Sequence, residues 1–180
     1  MKRVAAAVVF LALACTTTAW SQFHIEGLAG YGFKDGWKFG YGARAGFDLG
    51  GLLYLGGVYV AHTGTEETIT INQAPSTFEA KARYYGGEVG LPLGGLITLR
   101  PSLIIGAAQV ELVPGTDPSK SEVKFMVAPG LTALVGLGPL FLGGDARLII
   151  IGTDDSFDYA NVENPSGTLF ALYATIGFKF

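Results

Sequence analysis

Charge is what this chain has least of. Acidic and basic residues make up 15% of its 180 residues and hydrophobic residues 49%, where an ordinary soluble domain carries roughly 25% charged residues. So thin a polar coat excludes a conventional water-soluble globule. Long hydrophobic runs are missing too: none reaches the ~18 apolar residues that a spanning helix requires. Membrane-like composition without membrane helices leaves a closed β-barrel, because only helices and closed barrels satisfy every backbone polar group inside a bilayer. There is a single cysteine, Cys15, and only two histidines, His24 and His62.

The first 21 residues read as a secretory signal. Lys2 and Arg3 begin it, Val4 to Ala14 form an apolar core, and Ala19-Trp20-Ser21 makes a cleavage box before Gln22. The core is too short to span. Leu13-Ala14-Cys15 resembles a lipoprotein processing site, although Ala12 stands where leucine is usual. Cleavage after Ser21 removes the lone cysteine, which excludes disulfides, thiol catalysis and cysteine-held metal from the mature chain. It also removes two positive charges, taking the formal net charge from −3 to −5. Nothing in that balance points to nucleic acid.

Glycine is abundant, at 27 residues, and part of it is periodic. Leu49-Gly50-Gly51-Leu52, Leu93-Gly94-Gly95-Leu96 and Leu137-Gly138-Pro139-Leu140 recur at 44-residue intervals. Each places two turn-forming residues between leucines, as a tight hairpin does. Polar stretches lie between them: Lys34 to Gly36, Thr63 to Thr77, Val113 to Glu122 and Gly152 to Gly167. Alternation of tight turns with polar loops predicts eight strands, near 23–33, 37–49, 52–62, 78–91, 96–110, 123–137, 140–151 and 168–180. Each is long enough to cross a bilayer when tilted. The expected fold is all-β: an eight-stranded antiparallel up-and-down transmembrane barrel spanning 22–180.

Period-two patterning supports the strands. Phe39, Tyr41, Ala43, Ala45, Phe47 and Leu49 share one face, against Lys38, Gly40, Gly42, Arg44, Gly46 and Asp48. Phe170, Leu172, Ala174, Ile176, Phe178 and Phe180 oppose Tyr173, Thr175, Gly177 and Lys179. A water-soluble barrel turns its apolar face inward. Three features predict the inverse: a glycine-crowded polar face suited to a narrow lumen, a terminal phenylalanine, and aromatics near the strand ends (Phe33, Trp37, Phe39 at one rim; Phe47, Tyr54, Phe141, Phe178 at the other), like interfacial girdles.

An alternating last strand that carries Ile176, Phe178 and a terminal Phe180 resembles the assembly signal of outer-membrane barrel proteins. The layout from Gln22 onward is similar to the small eight-stranded group that includes the outer membrane protein A barrel and outer membrane protein X. The resemblance implies residence in the cell outer membrane, insertion by the barrel assembly machinery, contact with outer-membrane lipid and lipopolysaccharide, and a monomer. No peptidoglycan-binding domain is expected.

The remaining expectations concern charge and chemistry. Lys38, Arg44, Lys81, Arg83, Arg100, Lys124, Arg147 and Lys179 read as inward, with Glu26, Asp48, Glu79 and Asp145; Glu88 is ambiguous because Gly86-Gly87 has the composition of a bulge. A lumen network of Arg44, Asp48, Arg100, Asp145 and Arg147 is expected to plug the barrel. Lys38, Lys81, Arg83 and Lys124 are expected near the outer strand ends, as a basic rim for lipopolysaccharide phosphates. No catalytic residue, cofactor or metal site is expected. His62 beside Thr63, Thr65 and Glu66 resembles only loosely the lipid A-modifying barrel enzymes and reads as a rim residue, Ser102 as lumen lining. Thr153 to Asp158 is acidic but lacks calcium-loop spacing. The expected role is structural or surface-interacting (adhesin-like), with an external ligand met through the loops. The alternatives are a narrow channel, a transporter of small hydrophobic molecules, or a lipid A-modifying enzyme.

Overall fold

The structure, a computed structural model, describes residues 22–34, 36–71, 74–114, 120–152 and 167–180, with side chains left aside at 65–71, 74–80, 112–114 and 120. The proposed signal, the acidic run Thr153 to Asp158 and the cleavage site lie outside the described residues.

Eight long strands follow one another: β1 (Gln22–Gly32), β2 (Phe39–Leu49), β3 (Leu53–Ile71), β4 (Ala74–Gly90), β5 (Ile97–Pro114), β6 (Lys120–Leu137), β7 (Leu140–Ile151) and β8 (Gly167–Lys179). Leu93–Gly94 adds a two-residue pairing that continues β4 against β5, with Leu93 opposite Leu99. Each strand pairs antiparallel with its chain neighbours, and β1 pairs with β8, so the sheet closes on itself without an edge. The seam runs to the last residue: the Phe180 N–H donates to the Phe23 carbonyl at 2.9 Å.

Three tight turns and both described chain ends gather at one end of the barrel, here the turn end; the opposite end is the loop end. Gly50 and Gly51 both adopt positive φ, 63° and 69°, the backbone of the hairpin turn that matches strand twist. A methyl group on Gly51 would touch nothing, so Gly51→Ala tests conformation alone. Its expected cost is about 1 kcal/mol, read as a lower urea midpoint for unfolding of the detergent-folded barrel. Inward glycines serve a different purpose. Gly86 and Gly106 pair across β4 and β5, and a Cβ on either would run into the facing backbone, so the wall bends more tightly there than side chains allow.

The stretch Thr63 to Thr77, expected as a loop, is largely sheet. β3 and β4 continue as a hairpin through the Ile71–Ala74 pair, after a register shift between His62 and Thr65. No bulge occurs at Gly86-Gly87, where Val58 faces Gly86 and Gly57 faces Gly87 in unbroken register.

Exposure settles which face is which. Leu131 is 47% exposed and Ile176 51%, whereas Arg44, Arg100 and Arg147 are at 1–2%. Ile25, Phe47, Leu55, Leu99, Leu148 and Phe170 continue the exposed apolar band around the wall. Only hydrocarbon accepts such a surface over a charged core. The fold is therefore an eight-stranded transmembrane β-barrel.

Candidate functional site

The interior has three strata, each set by strand parity. In the middle, β1 supplies Glu26, β2 Arg44, β4 Glu88, β5 Arg100 and Ser102, β6 Thr132, and β7 Asp145 and Arg147. Cross-strand register places Glu26 opposite Arg44 and Thr132 opposite Asp145. Arg44 is the hub. Its Nε donates to Glu26 Oε2 at 2.8 Å, and its Nη1 lies 2.9 Å from Asp145 Oδ2 and 3.2 Å from Glu88 Oε1. Arg100 Nη2 donates to Glu26 Oε1 at 2.8 Å while its guanidinium lies over the Tyr54 ring, 4.1 Å from the centroid. Arg147 bridges Glu88 at 2.6 Å and Asp145 at 2.7 Å. Ser102 and Thr132 complete the carboxylates, each donating at 2.6 Å, to Glu88 and Asp145 respectively.

Three guanidiniums thus meet three carboxylates, and the stratum is neutral. Neutrality matters because an unpaired buried charge costs several kcal/mol, while a paired, fully hydrogen-bonded set largely offsets its desolvation. Planar guanidinium forks suit a hub better than lysine: Arg44 reaches three carboxylates and Arg147 two.

Toward the turn end, His24 Nε2 lies 3.0 Å from Asp48 Oδ2. Phe141, Lys179 and Thr98 join them around a cavity of about 30 Å³, room for roughly two water molecules. Toward the loop end the lumen turns apolar. Trp37, Val60, Tyr84, Ile104, Met126 and Ile149 are fully buried. His62 belongs to this stratum: its Nδ1 lies 2.8 Å from the Trp37 carbonyl and its Nε2 3.0 Å from the Tyr173 hydroxyl. A carbonyl only accepts, so Nδ1 carries the proton, and Nε2 of the neutral ring accepts from Tyr173.

Several expectations need correction. Arg44, Arg100, Asp145 and Arg147 do converge, but Asp48 lies a layer away with His24, and Glu26 and Glu88 take the acidic places. Glu88 faces inward because the register through Gly86-Gly87 is unbroken. The same parity sends Ala82 and Tyr84 inward and therefore Lys81 and Arg83 outward. The four basic residues expected as one rim accordingly split: Lys38 and Lys124 face the lumen mouth, with Lys124 Nζ 3.3 Å from Glu122, and Lys81 and Arg83 stand on the outer wall. Trp37, Tyr54 and Phe141, expected in the girdles, are buried inside, whereas Phe33, Phe39, Phe47 and Phe178 are exposed. His62 is buried, not a solvated rim residue. Among the described residues, no three His, Cys, Asp or Glu side chains are arranged to hold a metal ion.

With a charge-balanced layer inside and an apolar band outside, this molecule shares the architecture of the closed eight-stranded barrels of bacterial outer membranes. Solved structures bear out that class. A major outer membrane protein from Thermus thermophilus superposes with a TM-score of 0.67 at 15% identity, covering 89% of this chain and 99% of that one. Neisserial surface protein A gives 0.65 at 11% identity, covering 89% and 97%. The attachment invasion locus protein of Yersinia pestis, in complex with the heparin analogue sucrose octasulfate, gives 0.54 at 11%, covering 89% and 97%. At these identities the likeness is one of fold. No family model and no curated protein sequence matches the chain.

Proposed function

We propose that this chain is an integral outer-membrane protein whose role is structural and surface-interacting, with a lumen closed to solutes, no enzymatic activity, and an N-terminal signal removed after Ser21. The observation that carries the reading is the neutral stratum around Arg44 capped by the apolar stratum around Trp37 and Tyr84. An eight-stranded interior is just wide enough for side chains to fill, and here charged and apolar layers fill it in series. In this reading the turn end faces the periplasm and the loop end the exterior. The expected partners are outer-membrane lipid, the barrel assembly machinery acting on the Ile176, Phe178 and Phe180 face, and an external ligand at the loop end. The sulfated ligand of the Yersinia protein supports an adhesin-like use of the loop end, by analogy of fold.

Transport of small hydrophobic molecules draws some support from the apolar loop-end stratum, but its side chains pack against one another. A lipid A-modifying role for His62 draws none, since Trp37 and Tyr173 engage both ring nitrogens. Planar-bilayer recording of the purified barrel is expected to give no steady single-channel steps. Reproducible conductance from the unmodified protein would overturn the closed-lumen reading.

A further inference from the structure

The outer wall near the loop end carries a groove that the lumen does not explain. Register sets Tyr41, Ala61, Arg83 and Gln109 in one outward row across β2 to β5, with Lys81 opposite Glu111 in the next. Ala61 is the short member, and over it the longer side chains enclose a groove of about 490 Å³. Tyr41, Tyr59, Lys81, Arg83, Gln109 and Glu111 line it. Arg83 is oriented: its Nε donates to Gln109 Oε1 at 2.9 Å, and Gln109 Nε2 donates to Ser121 Oγ at 2.6 Å.

Depth identifies what such a groove meets. An arginine on the lipid face is costly at midplane and nearly free at the interface. Lys81 and Arg83 therefore mark head-group level, and the exposed Tyr59–Tyr85 pair one row below them is the interfacial aromatic layer. Below that, Ala45, Gly57 and Gly87 are cross-strand neighbours with nothing longer than a methyl group. A Cβ on Gly87 would touch nothing, so the wall there is a shallow trough.

We propose that this groove binds the phosphorylated sugar head group of an outer-leaflet glycolipid of the lipopolysaccharide type, with a fatty chain lying in the trough. The proposal rests on the outer-membrane reading given above. Arg83 takes the phosphate through its guanidinium fork and Lys81 adds a point charge. Glu111 stands opposite Lys81, whereas the cross-strand neighbours of Arg83 are the uncharged Ala61 and Gln109. The volume exceeds what a phosphate alone needs. Tyr41 and Tyr59 offer ring faces and hydroxyls, and Gln109 and Glu111 offer acceptors, to sugar hydroxyl groups.

The test uses full-length protein extracted from outer membranes in mild detergent, with co-purifying lipid quantified by mass spectrometry per mole of barrel. Arg83→Gln is expected to lower retained lipopolysaccharide about tenfold, the loss of one charge-assisted contact pair, and Lys81→Gln with Arg83→Gln to remove nearly all of it. Lys38→Gln with Lys124→Gln, at the lumen mouth, is expected to retain the wild-type amount. Unchanged retention in the Lys81/Arg83 variant, loss confined to the Lys38/Lys124 variant, or phospholipid as the retained species would each overturn the proposal. Heat-modifiable gel mobility and outer-membrane fractionation are scored in the same preparations. A wild type that fails those fails the membrane reading; one that passes them and binds no lipopolysaccharide fails only this inference.

Discussion

Replacing Arg44 with methionine is expected to destabilise the folded barrel by about 3–5 kcal/mol, the usual consequence of breaking a buried ion pair from one side. The side chain is nearly isosteric, so packing changes little while the charge disappears. Glu26, Glu88 and Asp145 then share two guanidiniums in place of three, in a cross-section where Arg44 is 1% exposed. The urea midpoint of the detergent-folded protein should fall, and the heat-modifiable band should convert at a lower temperature. Arg44→Lys keeps the charge but not the fork that reaches Glu26, Glu88 and Asp145 together, so it belongs between the two. Adding Glu26→Gln to Arg44→Met restores neutrality and should recover part of the loss, since neighbouring charges couple. An Arg44→Met protein that unfolds with the wild type would show that the network contributes nothing to stability.

Leu131→Arg is the complementary experiment on the opposite side of the same wall. Thr132 points inward and donates to Asp145; Leu131, one residue earlier, is 47% exposed on the lipid side. A guanidinium there enters hydrocarbon at the level of the ion network and should cost ~2–4 kcal/mol, with less protein recovered folded in the membrane. Leu131→Ala removes surface that was never buried in protein and should cost far less. Equal behaviour of the two variants would mean that Leu131 does not face lipid, and the assignment of inside and outside would be wrong.

These two residues also show how legible the sequence was. Parity could be read wherever a tight turn stood at one end of a strand and charge alternated with apolar residues along it, as on β2 and β7. It failed on β4. Gly86-Gly87 carries no side chain to report a side, and charge alone is a poor guide to the side of Lys81 and Arg83. Charge avoids the outer wall only where that wall meets hydrocarbon, so an exposed lysine or arginine toward the loop end does not fix parity. The place of Glu26 was recoverable by counting back through the short Lys34 to Gly36 connection, which brings it opposite Arg44. The apolar stratum also left a trace: Leu148 to Ile151 and Leu103 to Ile105 are apolar on both faces, the mark of a strand buried on both sides. Trp37, Tyr54 and Phe141 were misplaced because amphipathic rings suit a girdle and a lumen equally. Thr63 to Thr77 looked like a loop because both faces of a sheet raised above a membrane meet water, so polarity there does not distinguish strand from coil.

The raised sheet makes the molecule lopsided. β3 to β6 run for 17 to 19 residues each, while β1, β2, β7 and β8 run for 11 to 13. Among the described residues the rim is thus a parapet on one flank and a low sill on the other. Of the described residues, the upper ends of β3 to β6 are the first that a flat body lowered onto the loop end meets, ahead of the other four strands.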